Sequence, residues 1–317
     1  MVRFILRRFG FIVLTLFFSS LIIFGVTQLL PGDVARVILG QFATEAAVEN
    51  LREELGLNRP IYVQYLSWAI DFIRGDWGTS MVSRLPVRPI LMDRFNNSVM
   101  LAGLAFIFYV PLGVIFGVIA AIKREKLPDR LISGVSMAFV GMPEFVTGLL
   151  LINFLALGLG LLPANSSIKP GSSFIEALPY LILPAITVSL TNLGYVTRMV
   201  RSGTIDVLHS DYVRAAELKG LPARIVLFRH VLRNALLPTI TIVAMGIGWL
   251  IGGLIVTEQV YGYPGLGRMS VYSIQYGDLP MIQASCMIIV SIFTAANLVA
   301  DILYSLLNPR IRVGTNP

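Results

Sequence analysis

From Phe9 to Leu30 the chain carries no charged residue, and a run of that length crosses the hydrocarbon of a bilayer as a single helix. Apolar stretches of similar character recur at Asn97 to Ile122, Leu131 to Leu162, Leu178 to Val200, Thr239 to Val256 and Met281 to Leu307. Inside lipid each backbone N–H and C=O must be satisfied within the spanning structure, which leaves helices or a closed barrel, and runs this long are helices. Composition agrees. With 56% hydrophobic and 14% charged residues and a mean hydropathy of +0.77, the chain is too apolar for an ordinary soluble domain.

Orientation follows from charge. Half of the short loop Lys123-Arg124-Glu125-Lys126-Leu127-Pro128-Asp129-Arg130 is basic, and short basic loops stay on the cytoplasmic side. Arg3, Arg7, Arg8, Arg198, Arg201, Arg214, Lys219, Arg224, Arg229, Arg233, Arg310 and Arg312 fall on that same side if the spans alternate, whereas the later outer loops contribute only Lys169 and Arg268. The pattern predicts an all-α integral membrane protein with six spans and both termini in the cytoplasm. The first run is too long for a signal-peptide core, and Gln28-Leu29-Leu30-Pro31-Gly32 offers no cleavage pattern, so it is expected to be retained. The net charge of +7 therefore reflects membrane topology, and nucleic-acid binding is excluded.

The expected organisation is 1–32 for the cytoplasmic start and first span, 33–95 for an external segment, 96–308 for a five-helix core, and 309–317 for a cytoplasmic tail. In the external segment Glu45 to Leu55 reads as a helix closed by Gly56. Pro60 opens a second, with Tyr62, Tyr65/Leu66, Ala69 and Phe72/Ile73 on its apolar face. In the core, Gly141-Met142-Pro143 interrupts the third run and predicts a kink buried in protein. Glu144 stands beside that break, and two readings of it stay open: a transport role, or a carboxyl bonded to backbone groups freed by the kink. Asp301, near the inner end of the last span, is the other intramembrane carboxylate candidate. Gly246, Gly248, Gly252 and Gly253 predict close helix packing in the fifth span.

Between the fourth and fifth spans, 201–238 holds a polar, basic insert. Ile205, Leu208, Tyr212 and Ala215/Ala216 recur at helical steps, Gly220-Leu221-Pro222 breaks the pattern, and Ile225, Phe228 and Val231/Leu232 resume it. A helical elbow of this kind suits docking into a groove on a soluble partner, or is simply a connecting hairpin. No catalytic residues are expected. Gly-x-Ser-x-Gly, His-Glu-x-x-His and the Walker signature are absent, so the glycines of Tyr261-Gly262-Tyr263-Pro264-Gly265-Leu266-Gly267-Arg268 form an external turn and not a nucleotide loop. Cys286 is the sole cysteine, and His209 and His230 have no second ligand at metal spacing, so no metal is expected.

Asp211-Tyr212-Val213-Arg214-Ala215-Ala216-Glu217-Leu218-Lys219-Gly220, followed by Asn234-Ala235-Leu236-Leu237-Pro238, resembles the EAA loop of ABC importer permeases in its dipeptide, oligopeptide and nickel form. Leu55-Gly56-Leu57-Asn58-Arg59-Pro60, Gln64-Tyr65-Leu66, Gly75-Asp76-Trp77-Gly78-Thr79-Ser80 and the Tyr-Pro-Gly-Leu-Gly core are similar to the same peptide branch. Arg214 stands where that loop commonly has Glu, and the run from Gly220 to Pro238 is longer than in the general pattern; both look like this branch. The resemblance implies a type I importer permease of the bacterial inner membrane. Asp211, Tyr212, Arg214, Ala215, Ala216, Glu217, Lys219 and Gly220 would form a coupling helix seated in an ATPase, and Tyr261, Pro264, Gly265 and Gly267 would lie near an external gate. It also implies a second related permease, two ATP-binding subunits that hold the ATP and Mg, an external solute-binding protein and a peptide cargo, with no cofactor in this chain. Nickel, glutathione or a sugar on the same framework, or an ion-coupled secondary transporter, are the alternatives.

Overall fold

The apolar runs become helices that are mostly longer than the runs themselves. The computed structural model describes residues 2–29, 36, 39, 43–54, 56–169 and 171–307. Asp33 and the stretch from Asn308 through Arg310 and Arg312 to the C-terminus lie outside the described residues. The helices are α1 Val2–Gln28, α2 Glu45–Glu54, α3 Ile61–Arg74, α4 Val87–Ile122, α5 Leu127–Gly141, α6 Glu144–Leu151, α7 Phe174–Leu208, α8 Asp211–Leu218, α9 Leu232–Tyr261, α10 Leu266–Gln275 and α11 Leu279–Leu307. Among the described residues there is no strand, only an isolated bridge between Thr79 and Pro86. Also among them, four helices are long and apolar enough to cross a membrane, or five spans if α5 and the α6 segment count as one broken span.

The chain divides into two units, residues 1–98 with 264–294, and residues 99–263 with 295–317. In the first, Pro60 sets the start of α3, and Gly75 ends it in the left-handed region at φ 89°. Phe24, Tyr65, Trp68, Phe72 and Trp77 follow one another at ring separations of 5.4–6.1 Å and fasten α3 to α1. The expected face was half right. Tyr65 and Phe72 are on it, but Tyr62, Leu66 and Ile73 are exposed, and Trp68 takes the intervening turn. Asp278, buried, accepts from the Ser80 hydroxyl and from the Met81 backbone N–H at 3.1 Å, which locks the 80–81 loop to the start of α11.

Helix α4 starts at Val87, ten residues before the expected span. Charged Arg88, Asp93 and Arg94 obscured this, yet Val87 and Leu91 are fully buried against Leu266, Met281 and Ala284. Helix α10 was not foreseen at all. Its Leu266 belongs to that same cluster, and tertiary packing rather than periodicity makes it helical.

In the second unit a capping box starts α7: the Glu176 backbone N–H donates to Ser173 Oγ and the Ser173 backbone N–H to the Glu176 carboxylate. At Gly141-Met142-Pro143 the expected kink is a turn of 108°, but it is not buried as expected: Gly141 and Pro143 are exposed and Met142 is half-buried. Met142 is extended at φ −89°, ψ 129°, the conformation a following proline imposes, so helix α5 ends and α6 restarts after Pro143. Among the described residues, backbones approach most closely at glycines outside the fifth run. A Cβ on Gly194 would lie 2.5 Å from Val140 Cγ2 and 2.6 Å from the Ser136 carbonyl oxygen; one on Gly203 would lie 2.8 Å from the Ala235 carbonyl oxygen. Of the glycines expected to do this, Gly246 meets only the Tyr109 hydroxyl at 3.8 Å, while the surroundings of Gly248, Gly252 and Gly253 lie outside the described residues.

Gly194→Val is accordingly expected to destabilise the protein by about 2 kcal/mol through overpacking of α5 on α7. Gly134→Val, on α5 with nothing within 4 Å, should leave the thermal midpoint near the parental value. Heating in detergent followed by size-exclusion chromatography reads both.

Candidate functional site

Helix α8 is the exposed head of the elbow. Helix α7 runs on to Leu208, where His209 and Ser210 reverse the chain; Ser210 holds the turn by donating its hydroxyl to the Val207 carbonyl at 2.6 Å. Asp211 lies in the first turn of α8, where a carboxylate complements the positive end of the helix dipole. Gly220, at φ 74°, ends the helix: its N–H donates to the Glu217 carbonyl at 2.9 Å and that of Leu221 to Ala216 at 3.3 Å. Pro222 then leads into a turn at Ala223–Ile225 and a π-helical stretch, Val226–Val231, before α9 begins at Leu232. The elbow is thus shorter than 201–238, and Pro238 lies inside α9.

Its inner face matches the one periodicity suggests at Ala216 and Val231 and differs from it elsewhere. Val213 and Ala216 are buried against Val226, Val231 and Ala235, with Val207, Leu208 and Leu227 around them. The reversal at Ser210 resets the helical phase, so Tyr212 does not continue the Ile205–Leu208 face. The π-helical turn then advances by five residues, which aligns Val226 with Val231 and leaves Phe228 outside at 69% exposure. Asp211, Tyr212, Arg214, Ala215, Glu217, Lys219 and Gly220 face outward, while Ala216 faces inward. Tyr212 and Leu218 extend the exposed apolar surface, and the Tyr212 hydroxyl accepts from Asn234 Nδ2 at 2.9 Å. One small helix is therefore anchored to the end of α7 and the start of α9 together.

Below the elbow, Arg201 on α7 makes a forked pair with Asp129 in the first turn of α5, Nε to Oδ1 at 2.6 Å and Nη2 to Oδ2 at 2.7 Å. The same carboxylate accepts from the Glu125 backbone N–H at 2.8 Å and the Ser133 hydroxyl at 3.1 Å. In the sequence Arg201 is only a topological marker, and nothing in the spacing joins it to the aspartate in the first turn of α5.

At the 108° turn Thr257 on α9 donates its hydroxyl to the Glu144 carboxylate. Tyr261 is buried, with its hydroxyl 2.7 Å from Thr187 Oγ1 on α7 and donating to the Gly148 carbonyl at 3.1 Å. Glu144 and Tyr261 thus pin α6 to α9 and α7. Glu258 is fully buried, a carboxylate position that sequence reading missed. Pro264, Gly265 and Gly267 are buried as well, and the Pro264 carbonyl accepts from Asn97 Nδ2 at 2.9 Å and Arg94 Nη1 at 3.3 Å. The stretch expected as an external turn is packed in, because its polar backbone is satisfied from α4. Asp301 lies half-buried near the end of α11.

Comparison with known families gives the class of this multi-pass helical chain. Residues 113–313 match the family described as the binding-protein-dependent transport system inner membrane component, and residues 1–102 match its N-terminal membrane component. The chain belongs to this family, and is a transport component rather than an enzyme. It is 37% identical over 309 residues to the "Probable peptide ABC transporter permease protein y4tP" of Sinorhizobium fredii, covering 98% of this chain and 99% of that one. It is 36% identical over 312 residues to the glutathione transport system permease protein GsiC of Escherichia coli K12, with the same coverage. Among solved structures, a crystal structure of an amino acid ABC transporter with histidines aligns at a TM-score of 0.49 and 19% identity, over 70% of this chain and 94% of that one.

Proposed function

We propose that the chain is one of two permease subunits of an ATP-driven importer of short peptides. The relatives named for peptide and for glutathione, itself a short peptide, support that cargo class. In this reading the spans number six: α1, α4, the α5–α6 pair, α7, α9 and α11, with both termini in the cytoplasm. ATP and Mg2+ are held by separate ATPase subunits, and an external binding protein delivers the peptide. The observation that carries the proposal is the anchoring of α8. Val213 and Ala216 tie it to α7 and α9 at once, so a force on its exposed face moves two spans together. When the ATPases close on ATP, the two elbows approach, and the attached spans turn the central passage from one side of the membrane to the other.

Cysteine placement tests this. Ala215→Cys, outward on α8, should react with membrane-impermeant maleimide only from the cytoplasmic side and crosslink to the co-expressed ATPase. Ala216→Cys, inward, should react at least tenfold more slowly. Labelling of Ala215→Cys from the periplasmic side overturns the orientation, and absence of any ATPase crosslink overturns the docking role.

A further inference from the structure

A cavity of about 400 Å³ lies in the first unit, between the end of α1, the length of α3 and the start of α11, and its size is that of a small-molecule site. Its polar lining is not spent on itself. Arg59 and Asp71 both line it, but the Arg59 guanidinium makes no hydrogen bond or ion pair among the described residues, and the Asp71 carboxylate accepts only from the Ser67 hydroxyl at 3.4 Å. Gln283, 9% exposed, is held by its Nε2, which donates to Thr27 Oγ1 at 2.8 Å, while its Oε1 accepts nothing among those residues. Trp68 lines the cavity too, and its indole N–H is likewise unengaged there. Neither Gln283 Oε1 nor that N–H is sealed in; both reach open space. The cavity thus carries a cation, an anion, a fixed amide acceptor and an N–H donor, each with capacity left for a ligand.

We propose that this cavity binds a short peptide by its two charged ends. Arg59 pairs with the terminal carboxylate through its planar donors, and Asp71 accepts from the terminal ammonium. Gln283 Oε1 and the Trp68 N–H match the N–H and C=O of a peptide unit lying between those ends. Length agrees. Helix α3 rises about 15 Å from Ile61, just past Arg59, to Asp71, and three extended residues span about 10 Å, so a tripeptide lies within the stretch that the two charges bracket. The ligand class rests on the transport reading above, under which the cavity opens on the external side, where cargo arrives. The site is remote in sequence from the elbow and shares no residue with the Glu144 contacts.

The experiment is equilibrium dialysis of labelled trialanine against the full-length chain in nanodiscs, with N-acetyl-trialanine and trialanine amide as competitors. Wild type is expected to bind trialanine, and each blocked peptide at least tenfold more weakly. Arg59→Gln should weaken trialanine at least tenfold yet leave the amide where it was, because the lost charge and the lost carboxylate are partners. Asp71→Asn should do the same with the acetylated peptide. Arg74→Gln, a basic residue on α3 that does not line the cavity, should leave all three affinities unchanged. Absence of trialanine binding to wild type overturns the proposal, and so does equal binding by wild type, Arg59→Gln and Asp71→Asn. Either result leaves the transport reading standing, since the Ala215→Cys crosslink does not involve this cavity. Loss of that crosslink with the end-specific binding intact would instead remove the coupling role and keep the site.

Discussion

Replacing Gly220 by valine is expected to reduce uptake by the reconstituted transporter at least tenfold while its ATPase subunits continue to hydrolyse ATP. Gly220 sits at φ 74° with nothing within 4 Å of where a Cβ would be, so the obstacle is backbone conformation and not space. A β-branched residue held in that region costs about 1–3 kcal/mol, and the chain escapes by unwinding the end of α8. Leu221, whose N–H reaches the Ala216 carbonyl at 3.3 Å, then loses its tie to the helix that presents the docking face. Gly220→Asn is the matched control, because asparagine tolerates the left-handed region, and it should retain most of the uptake. Undiminished uptake in the valine variant would remove α8 from the coupling route. Equal loss in both variants would show that the side chain, and not the turn, is what matters.

Arg201→Ala is expected to be the most destabilising single change outside the tight glycine contacts. The Asp129 side chain is 5% exposed and that of Arg201 30%, so removing the guanidinium strands a nearly buried carboxylate. Breaking such a pair from one side costs about 3 kcal/mol. The fork joins the first turn of α5 to α7, and its loss should loosen the loop from Lys123 to Lys126 before the rest of the chain. Hydrogen exchange resolved along the sequence would report this as early deuteration of that loop. Asp129→Asn combined with Arg201→Gln should recover much of the loss, since no lone charge remains. A double variant no more stable than Arg201→Ala would mean that the pair itself, and not the stranded charge, carries the stability.

Hydropathy was enough to recognise the long helices, because an apolar run in lipid has almost no alternative to a helix. It failed where packing partners come from far along the chain. Val87 and Leu91 look like parts of a charged loop until Leu266 and Met281 are placed against them. The elbow shows both outcomes. Gly220 marked the turn correctly, and Ala216 and Val231 are buried as periodicity suggested, but Val213 and Val226 take the places expected of Tyr212, Ile225 and Phe228, since neither a phase reset at Ser210 nor a π-helical stretch leaves a signature in 3.6-residue periodicity. Tyr261 was read as part of an external turn, yet it is fully enclosed.

The 35 residues of α7 amount to a rod about 52 Å long, against about 30 Å of hydrocarbon to cross. Pro179 and Pro184 fall in its early turns, leaving the portion from Ala185 to Leu208 without a proline hinge. A stiff bar held at its middle swings its two ends in opposite directions. If the proposed transport cycle pivots α7 there, a displacement delivered at Leu208 reaches the Ala185 end of that stiff portion with its sign reversed.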